Sequence, residues 1–150
     1  MNTKWTLADL PRLDGKLALV TGANRGLGLE ISAALAAAGA RVVMACRDAA
    51  KAESAVAEVQ RRVPDALVQA MTLDLACLKS VREFADEFNN KSSSLDILIN
   101  NASAILVPLQ KTRDGFEMHI GTNHFGPYVL TGLLLDRLRN TPGARIVNTG

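Results

Sequence analysis

Three glycines, set where an apolar run meets a helical pattern, constrain this chain more than any other feature. The segment Val20-Thr21-Gly22-Ala23-Asn24-Arg25-Gly26-Leu27-Gly28 has to turn the backbone sharply and leave the first helical N–H groups open to a bulky anion. A side chain at Gly22, Gly26 or Gly28 would obstruct the turn, the approach or the packing behind it. The partial positive charge of a helix N-terminus favours an anion further, so the spacing predicts a seat for a dinucleotide pyrophosphate. Upstream, Leu17-Ala18-Leu19-Val20 follows the turn-like Asp14-Gly15 and reads as a buried parallel strand. Downstream, Leu27, Ile31, Ala34, Leu35 and Ala38 recur at helical spacing, Gly39 supplies a stop, and Arg41 to Cys46 is the next strand candidate. Strand, glycine turn, helix and strand make a βαβ unit, the context that such a turn requires.

The alternation continues along the chain. Ala49, Ala52, Val56, Val59 and Val63 share a helical face ending before Pro64-Asp65, and Leu67 to Leu73 reads as a third strand that stops at Asp74. Leu78, Val81, Phe84, Ala85 and Phe88 form the stripe of a further helix, in which Ser80 and Glu83 match a capping box. The polar run Asn89 to Ser94 predicts a loop and Leu95 to Ile99 a fourth strand. Beyond turn signals at Pro108 and Asp114-Gly115, a long helical pattern runs from about Phe116 to Leu138. Phe125, Tyr128, Val129, Leu133, Leu134 and Leu138 are its apolar surface, with Pro127 as a kink or restart. Thr141-Pro142-Gly143 is a turn, and Ala144 to Asn148 begins a fifth strand. The expected architecture is α/β: one Rossmann-type domain over residues 1–150, with a doubly wound parallel sheet, helices on both faces, and a break after the fifth strand.

Bulk properties narrow the function. A hydrophobic content of 48% suffices for a packed core, which argues against disorder. Lys plus Arg number 17 against 15 for Asp plus Glu, with the cations scattered, so nothing in the composition points to nucleic acid. No window reaches the roughly 18 apolar residues of a membrane helix, and the start of the chain, with Trp5, Thr6 and Asp9, lacks a secretory apolar core. Cys46 and Cys77 have no metal-ligand spacing, which fits free thiols in a reducing, cytoplasmic setting.

The order of motifs resembles that of the short-chain dehydrogenase/reductase family, over essentially the whole chain. Thr21 to Gly28 is similar to the family's glycine motif, Asp74-Leu75 to its adenine-pocket pair, and Asn100-Asn101-Ala102 to its motif after the fourth strand. Asn123, within Thr122-Asn123-His124-Phe125-Gly126, resembles its active-site asparagine, and Ser103 stands where a glycine is common. Ala45-Cys46-Arg47-Asp48 and Asp114-Gly115-Phe116-Glu117 are similar to the retinol-dehydrogenase-like branch. The glycine turn, with three residues between Gly22 and Gly26, is unlike the two-residue spacing of the related nucleotide-sugar epimerases. The resemblance implies an oxidoreductase of small-molecule alcohols or carbonyls. Gly22, Arg25, Gly26, Leu27, Arg47, Asp74, Leu75 and Asn101 would hold the coenzyme. Asn123 would be the one catalytic residue present, holding a water through a freed main-chain carbonyl. His119 and His124 have no partner spacing for metal or nucleophilic chemistry.

Charge selects the coenzyme. An NAD site places a carboxylate at the end of the second strand to accept from the ribose 2′-hydroxyl, and such a group repels a 2′-phosphate. That strand ends at Cys46-Arg47, with Asp48 one residue later, and Arg25 is a second cation on the turn. Charge-assisted hydrogen bonds contribute about 1.5–3 kcal/mol each, so NADP is expected over NAD.

The family's proton donor is a tyrosine with a lysine four residues on, aided by a serine. The one tyrosine, Tyr128, is followed at that distance by Gly132, and the run Val147-Asn148-Thr149-Gly150 lacks the usual serines. Residues 1–150 alone are therefore expected to bind coenzyme without appreciable turnover. The uncovered long helix and an open sheet edge would favour self-association. The competing expectation is a noncatalytic NADP-binding sensor or partner-binding module.

Overall fold

Alternate residues of the first strand divide the interior into two apolar layers. In β1 (Leu17–Thr21), Leu17 and Leu19 join one buried cluster while Ala18 and Val20 join another. The period of two in a strand buried on both faces demands this, and it fixes which helices go where. The computed structural model describes Lys4 and residues 6–150; Trp5, used above for the polar start of the chain, lies outside them.

Five strands, β1, β2 (Arg41–Cys46), β3 (Val68–Thr72), β4 (Ile97–Asn100) and β5 (Arg145–Asn148), pair in parallel in the order β3-β2-β1-β4-β5. The chain moves outward from β1 to β3, then returns to the other side of β1. A crevice therefore opens at the carboxyl ends of β1 and β4, where the winding reverses.

Helices α1 (Gly26–Ala37) and α2 (Ala49–Arg62) cover the layer of Ala18, Val20, Val42 and Met44. On the opposite face α3 (Leu78–Lys91) packs Val81, Phe84 and Phe88 against Leu17, Leu19, Val43 and Leu98, joined by Leu130 of α5 (Gly126–Leu133). Phe84 and Phe88 stack with centroids 6.2 Å apart. Asp96, buried before β4, accepts from Leu17 N at 2.9 Å and from Lys16 Nζ at 2.9 Å, tying the starts of β1 and β4 together. The doubly wound parallel sheet with helices on both faces is thus as the sequence predicts. Among the described residues no helix is long and apolar enough to cross a membrane, and Cys46 and Cys77 are buried free thiols.

Differences from the sequence reading lie in the connections. The third, fourth and fifth strands are shorter than the apolar runs or shifted, because Leu73 and Leu95 are buried just outside the ladder. Asn89, Asn90 and Lys91 lie inside α3 instead of a loop. The Ser80–Glu83 capping box does not form: α3 begins at Leu78, so Ser80 is already helical and its Oγ accepts from Asp74 N at 3.0 Å, while Glu83 pairs with Lys79. The first turn is satisfied from outside instead, Leu78 N donating to Asp114 Oδ2 at 2.8 Å.

The long helix expected over 116–138 is interrupted twice. It begins as α4 (Met118–Ile120), widens into a π-turn over Gly121–Phe125, continues as α5, and breaks at Leu134 before α6 (Leu135–Arg139). At that break Asn89 Nδ2 donates to the Leu133 carbonyl, and Arg137 bonds to Asn89 Oδ1 and its carbonyl. Pro127 sits in the first turn of α5, where a missing N–H leaves no gap in the ladder. Leu130, Leu134 and Leu138 face the core, whereas Tyr128 is 72% exposed.

Phe88→Ala should lower unfolding free energy by about 3–5 kcal/mol in urea titrations, whereas Leu67→Ala, at an exposed position, should change it by less than about 0.5 kcal/mol. Equal effects would contradict this assignment of the core.

Candidate coenzyme site

At the carboxyl ends of β1 and β4 two side chains clasp each other's backbone. The buried Thr21 Oγ1 accepts from the N–H groups of Asn101 and Ala102, both at 3.0 Å, and donates to the Ile99 carbonyl at 3.4 Å. In return Asn101 Nδ2 donates to the carbonyls of Thr21 at 3.0 Å and Gly22 at 3.4 Å. The clasp fixes the glycine turn against the segment after β4.

Each glycine of the turn is required for a different reason. Gly22 has φ +65°, and a Cβ there would lie 2.8 Å from Ala102 Cα. At Gly28 a Cβ would run into the Gly22 carbonyl and come within 2.5 Å of Asn101 Nδ2. Gly26 has φ +54° with open space around it, so its glycine serves the backbone and leaves room above the helix. Arg25, extended at the N-cap of α1, makes no side-chain cap. The first N–H groups of a 12-residue helix therefore point into the opening with their partial positive charge uncompensated.

That opening is a broad cleft of about 1680 Å³, running from the glycine turn past the ends of β4 and β5 to α5. Gly22, Arg25, Gly26, Leu27, Asn101 and Asn123 line it; Arg47, Asp74 and Leu75 do not. Arg47 is exposed just beyond β2, and among the described residues neither it nor Arg25 takes part in an ion pair. Asp48 has a task of its own. As N-cap of α2 it accepts from Lys51 N at 3.0 Å and pairs with Lys51 Nζ at 3.6 Å, bonds that hold its carboxyl below the usual carboxylate range. Asp74 Oδ1 accepts from Ala76 N at 3.0 Å, shaping the turn into α3, and the buried Leu75 carbonyl abuts Gly126, where a Cβ would not fit.

Asn123 lies in the π-turn, closed by Gly126 N donating to the Gly121 carbonyl. Its amide grips Ala104 at two points: Oδ1 accepts from Ala104 N at 2.7 Å, and Nδ2 donates to Ala104 O at 2.9 Å. Glu117 caps the helical turn that leads to it, accepting from His119 N and Ile120 N at 3.0 Å and from His119 Nδ1 at 2.7 Å. The His119 amide and ring and the Ile120 amide hold the Glu117 carboxyl down to about 2. His124 stacks on Tyr128 at the cleft, 6.2 Å between centroids. Burial pushes the Cys46 thiol up to about 11, which leaves it protonated and inert.

Sequence reasoning did not assign the Thr21 hydroxyl, and it placed Asn100 in the motif after the fourth strand without naming its partners. The buried Asn100 donates to Thr131 Oγ1 at 3.2 Å and Asn148 Oδ1 at 2.9 Å, while its own Oδ1 lacks a partner among the described residues. A hydroxyl at the last position of a strand, immediately before the turn glycine, was the available signal for Thr21. Nothing local marks the contacts of Asn100, which depend on how β4, β5 and α5 meet.

The donor set fits a pyrophosphate: uncapped helical N–H groups, open space over Gly26, and a cation at the rim. Fold and site together define a Rossmann-type α/β protein with an anion seat at the topological switch point. Residues 16–150 match the short chain dehydrogenase family, and the chain belongs to that family. It is 50% identical over 137 residues to retinol dehydrogenase 11 of Mus musculus, covering 91% of this chain and 43% of that protein. Among solved structures it resembles an uncharacterized protein from Mycobacterium paratuberculosis, at 47% identity and TM-score 0.79, covering 90% of this chain and 47% of the other. The Pseudomonas aeruginosa RhlG/NADP active-site complex follows at 32% and 0.77, with 93% and 56% covered. The chain thus spans about half the length of the relatives that it matches.

Two glycines should respond with opposite signs. Gly28→Ala should destabilise the fold by about 1–3 kcal/mol through overpacking, while Gly132→Ala, in open space within α5, should stabilise it by about 0.5–1 kcal/mol. Urea unfolding of both variants checks this, and effects of the same sign would count against the clasp. The depressed Glu117 carboxyl contributes stability that is complete above its ordinary value of 4.5 and lost as pH falls toward about 2. Glu117→Gln should remove that dependence from an acid titration of helicity; an unchanged titration would contradict the cap.

Proposed function

We propose that residues 1–150 form the coenzyme-binding part of an NADP-dependent short-chain oxidoreductase that interconverts an alcohol and a carbonyl compound. The observation that carries the choice of NADP is the occupation of Asp48. Its carboxylate serves as the cap of α2, while Arg47 and Arg25 are left without ion pairs among the described residues. On this reading the two guanidinium groups flank the 2′-phosphate, and the N–H groups at Gly26 and Leu27 hold the pyrophosphate. Gly22 lets the backbone approach. Asp74 and the Leu75 backbone receive the adenine, and Asn101 acts through the clasp that shapes the turn.

Held by these residues, a nicotinamide coenzyme would supply or accept a hydride. Asn123 keeps the post-β4 segment in place through Ala104, and on this reading the π-turn that holds it frees a main-chain carbonyl for a water that relays the proton. The name of the mouse relative points to retinol-like alcohols as the substrate class. Tyr128, with Gly132 four residues on, is not assigned the proton-donor role, and residues 1–150 alone should show negligible turnover, because positioned acid–base catalysis is worth about 10²–10⁴-fold. On this reading the site of action is the cytoplasm, in keeping with the buried free thiols Cys46 and Cys77.

Calorimetric titration of the chain with each coenzyme tests the reading. NADP should bind at least about tenfold more tightly than NAD, and Arg47→Asp should erase or invert that preference. Equal or NAD-favouring affinities for the parent chain would overturn it. NADP binding by a product that has no oxidoreductase activity in cells would instead favour a noncatalytic module.

A further inference from the structure

Two clamps close on the segment after β4 and leave one residue between them unspent. Thr21 Oγ1 takes the N–H groups of Asn101 and Ala102, and Asn123 Oδ1 takes that of Ala104, so three of the four amides from 101 to 104 are engaged. Ser103 carries the fourth. Among the described residues its N–H, its carbonyl and its hydroxyl have no hydrogen-bond partner, although the residue on either side is held in place.

The glycine turn sets where Ser103 lies. A Cβ at Gly22 would come within 2.8 Å of Ala102 Cα. Consecutive Cα atoms are about 3.8 Å apart, so Ser103 Cα lies within about 8 Å of Gly22 Cα, which leaves room for one sugar beside a phosphate seated on the turn. Ser103 lines the same cleft as Gly22, Gly26 and Leu27. It stands where a glycine is common in the family, so its hydroxyl is an addition of this chain.

The chemistry on offer decides the ligand. Pyrophosphate oxygens only accept, and the first N–H groups of α1 already supply donors for them. A hydroxyl that both donates and accepts, beside a free N–H and a free carbonyl, matches a sugar diol, which does both as well. The segment Asn101–Ala104 carries no charge, so it favours neither form of the coenzyme.

We propose that Ser103 binds a ribose hydroxyl of the coenzyme, on a sugar next to the pyrophosphate. This rests on the assignment of the cleft to a nicotinamide coenzyme and adds a contact that NADP and NAD share, whereas Arg47 acts on the 2′-phosphate alone. With Ala102 and Ala104 fixed beforehand, the hydroxyl is presented at little ordering cost.

Calorimetric titration of Ser103→Ala with NADP, NAD and adenosine 2′,5′-bisphosphate tests this, with Ser103→Gly as a second variant. Both substitutions should weaken NADP and NAD by the same factor, about three- to tenfold, while the urea midpoint of Ser103→Ala stays that of the parent. The bisphosphate lacks the nicotinamide ribose: a matching loss of its affinity assigns the contact to the adenosine ribose, and an unchanged affinity assigns it to the nicotinamide ribose. Parent-like affinity of both variants for both coenzymes would overturn the proposal and leave the NADP assignment standing. A loss confined to NADP would also overturn it, since Ser103 would then act at the 2′-phosphate. A parent chain that binds neither coenzyme would overturn this proposal and the coenzyme assignment together.

Discussion

The architecture of this site depends on the reciprocal clasp between Thr21 and the Asn101-Ala102 backbone. A parallel sheet aligns its strand ends, but the loops leaving them are free to diverge. One buried hydroxyl receiving two N–H groups, and one amide returning to two carbonyls, lock β1 to β4 where the winding reverses. Gly22 then lies against Ala102, Gly28 lies beneath the Gly22 carbonyl, and the start of α1 is fixed in direction. Hydrogen bonds made inside a low-dielectric layer are expensive to leave unmade, which gives the clasp its rigidity.

A second set of contacts carries order from the clasp to the far wall of the cleft. Asn123 holds Ala104, Glu117 caps the turn that precedes Asn123, and Gly126 abuts the Leu75 carbonyl at the end of the β3 connection. The glycine turn, the post-β4 segment and the π-turn therefore behave as one framework. Electrostatics add a division of labour: the carboxylates of Asp48, Asp74, Asp114 and Glu117 accept backbone N–H groups, whereas Arg25 and Arg47 take part in no ion pair among the described residues. That division is the physical basis of the proposed preference for NADP.

The sequence made legible whatever depends on local periodicity. The apolar runs at Leu17–Val20 and Arg41–Cys46, the stripe from Val81 to Phe88 and the glycine spacing all have the structural form that they suggest. Where distant partners decide, legibility failed. Ser80 reads as a cap because its spacing to Glu83 is right, yet Asp114, far along the chain, satisfies the start of α3. The continuous pattern over 116–138 gives no sign of the break at Leu134, which rests on Asn89 and Arg137 from separate elements. The open turn before α1 was visible in the glycines, whereas the clasp behind it was not, because it joins residues 80 apart.

Site-resolved amide hydrogen exchange tests the central claim most directly, that the open N-terminus of α1 holds a phosphorylated coenzyme. Saturating NADP should slow exchange at Gly26, Leu27 and Gly28 and at Asn101 and Ala102 behind them, while leaving the C-terminal half of α2 unchanged. Unaltered exchange at the glycine turn in native protein, under conditions where NADP is bound, would contradict it.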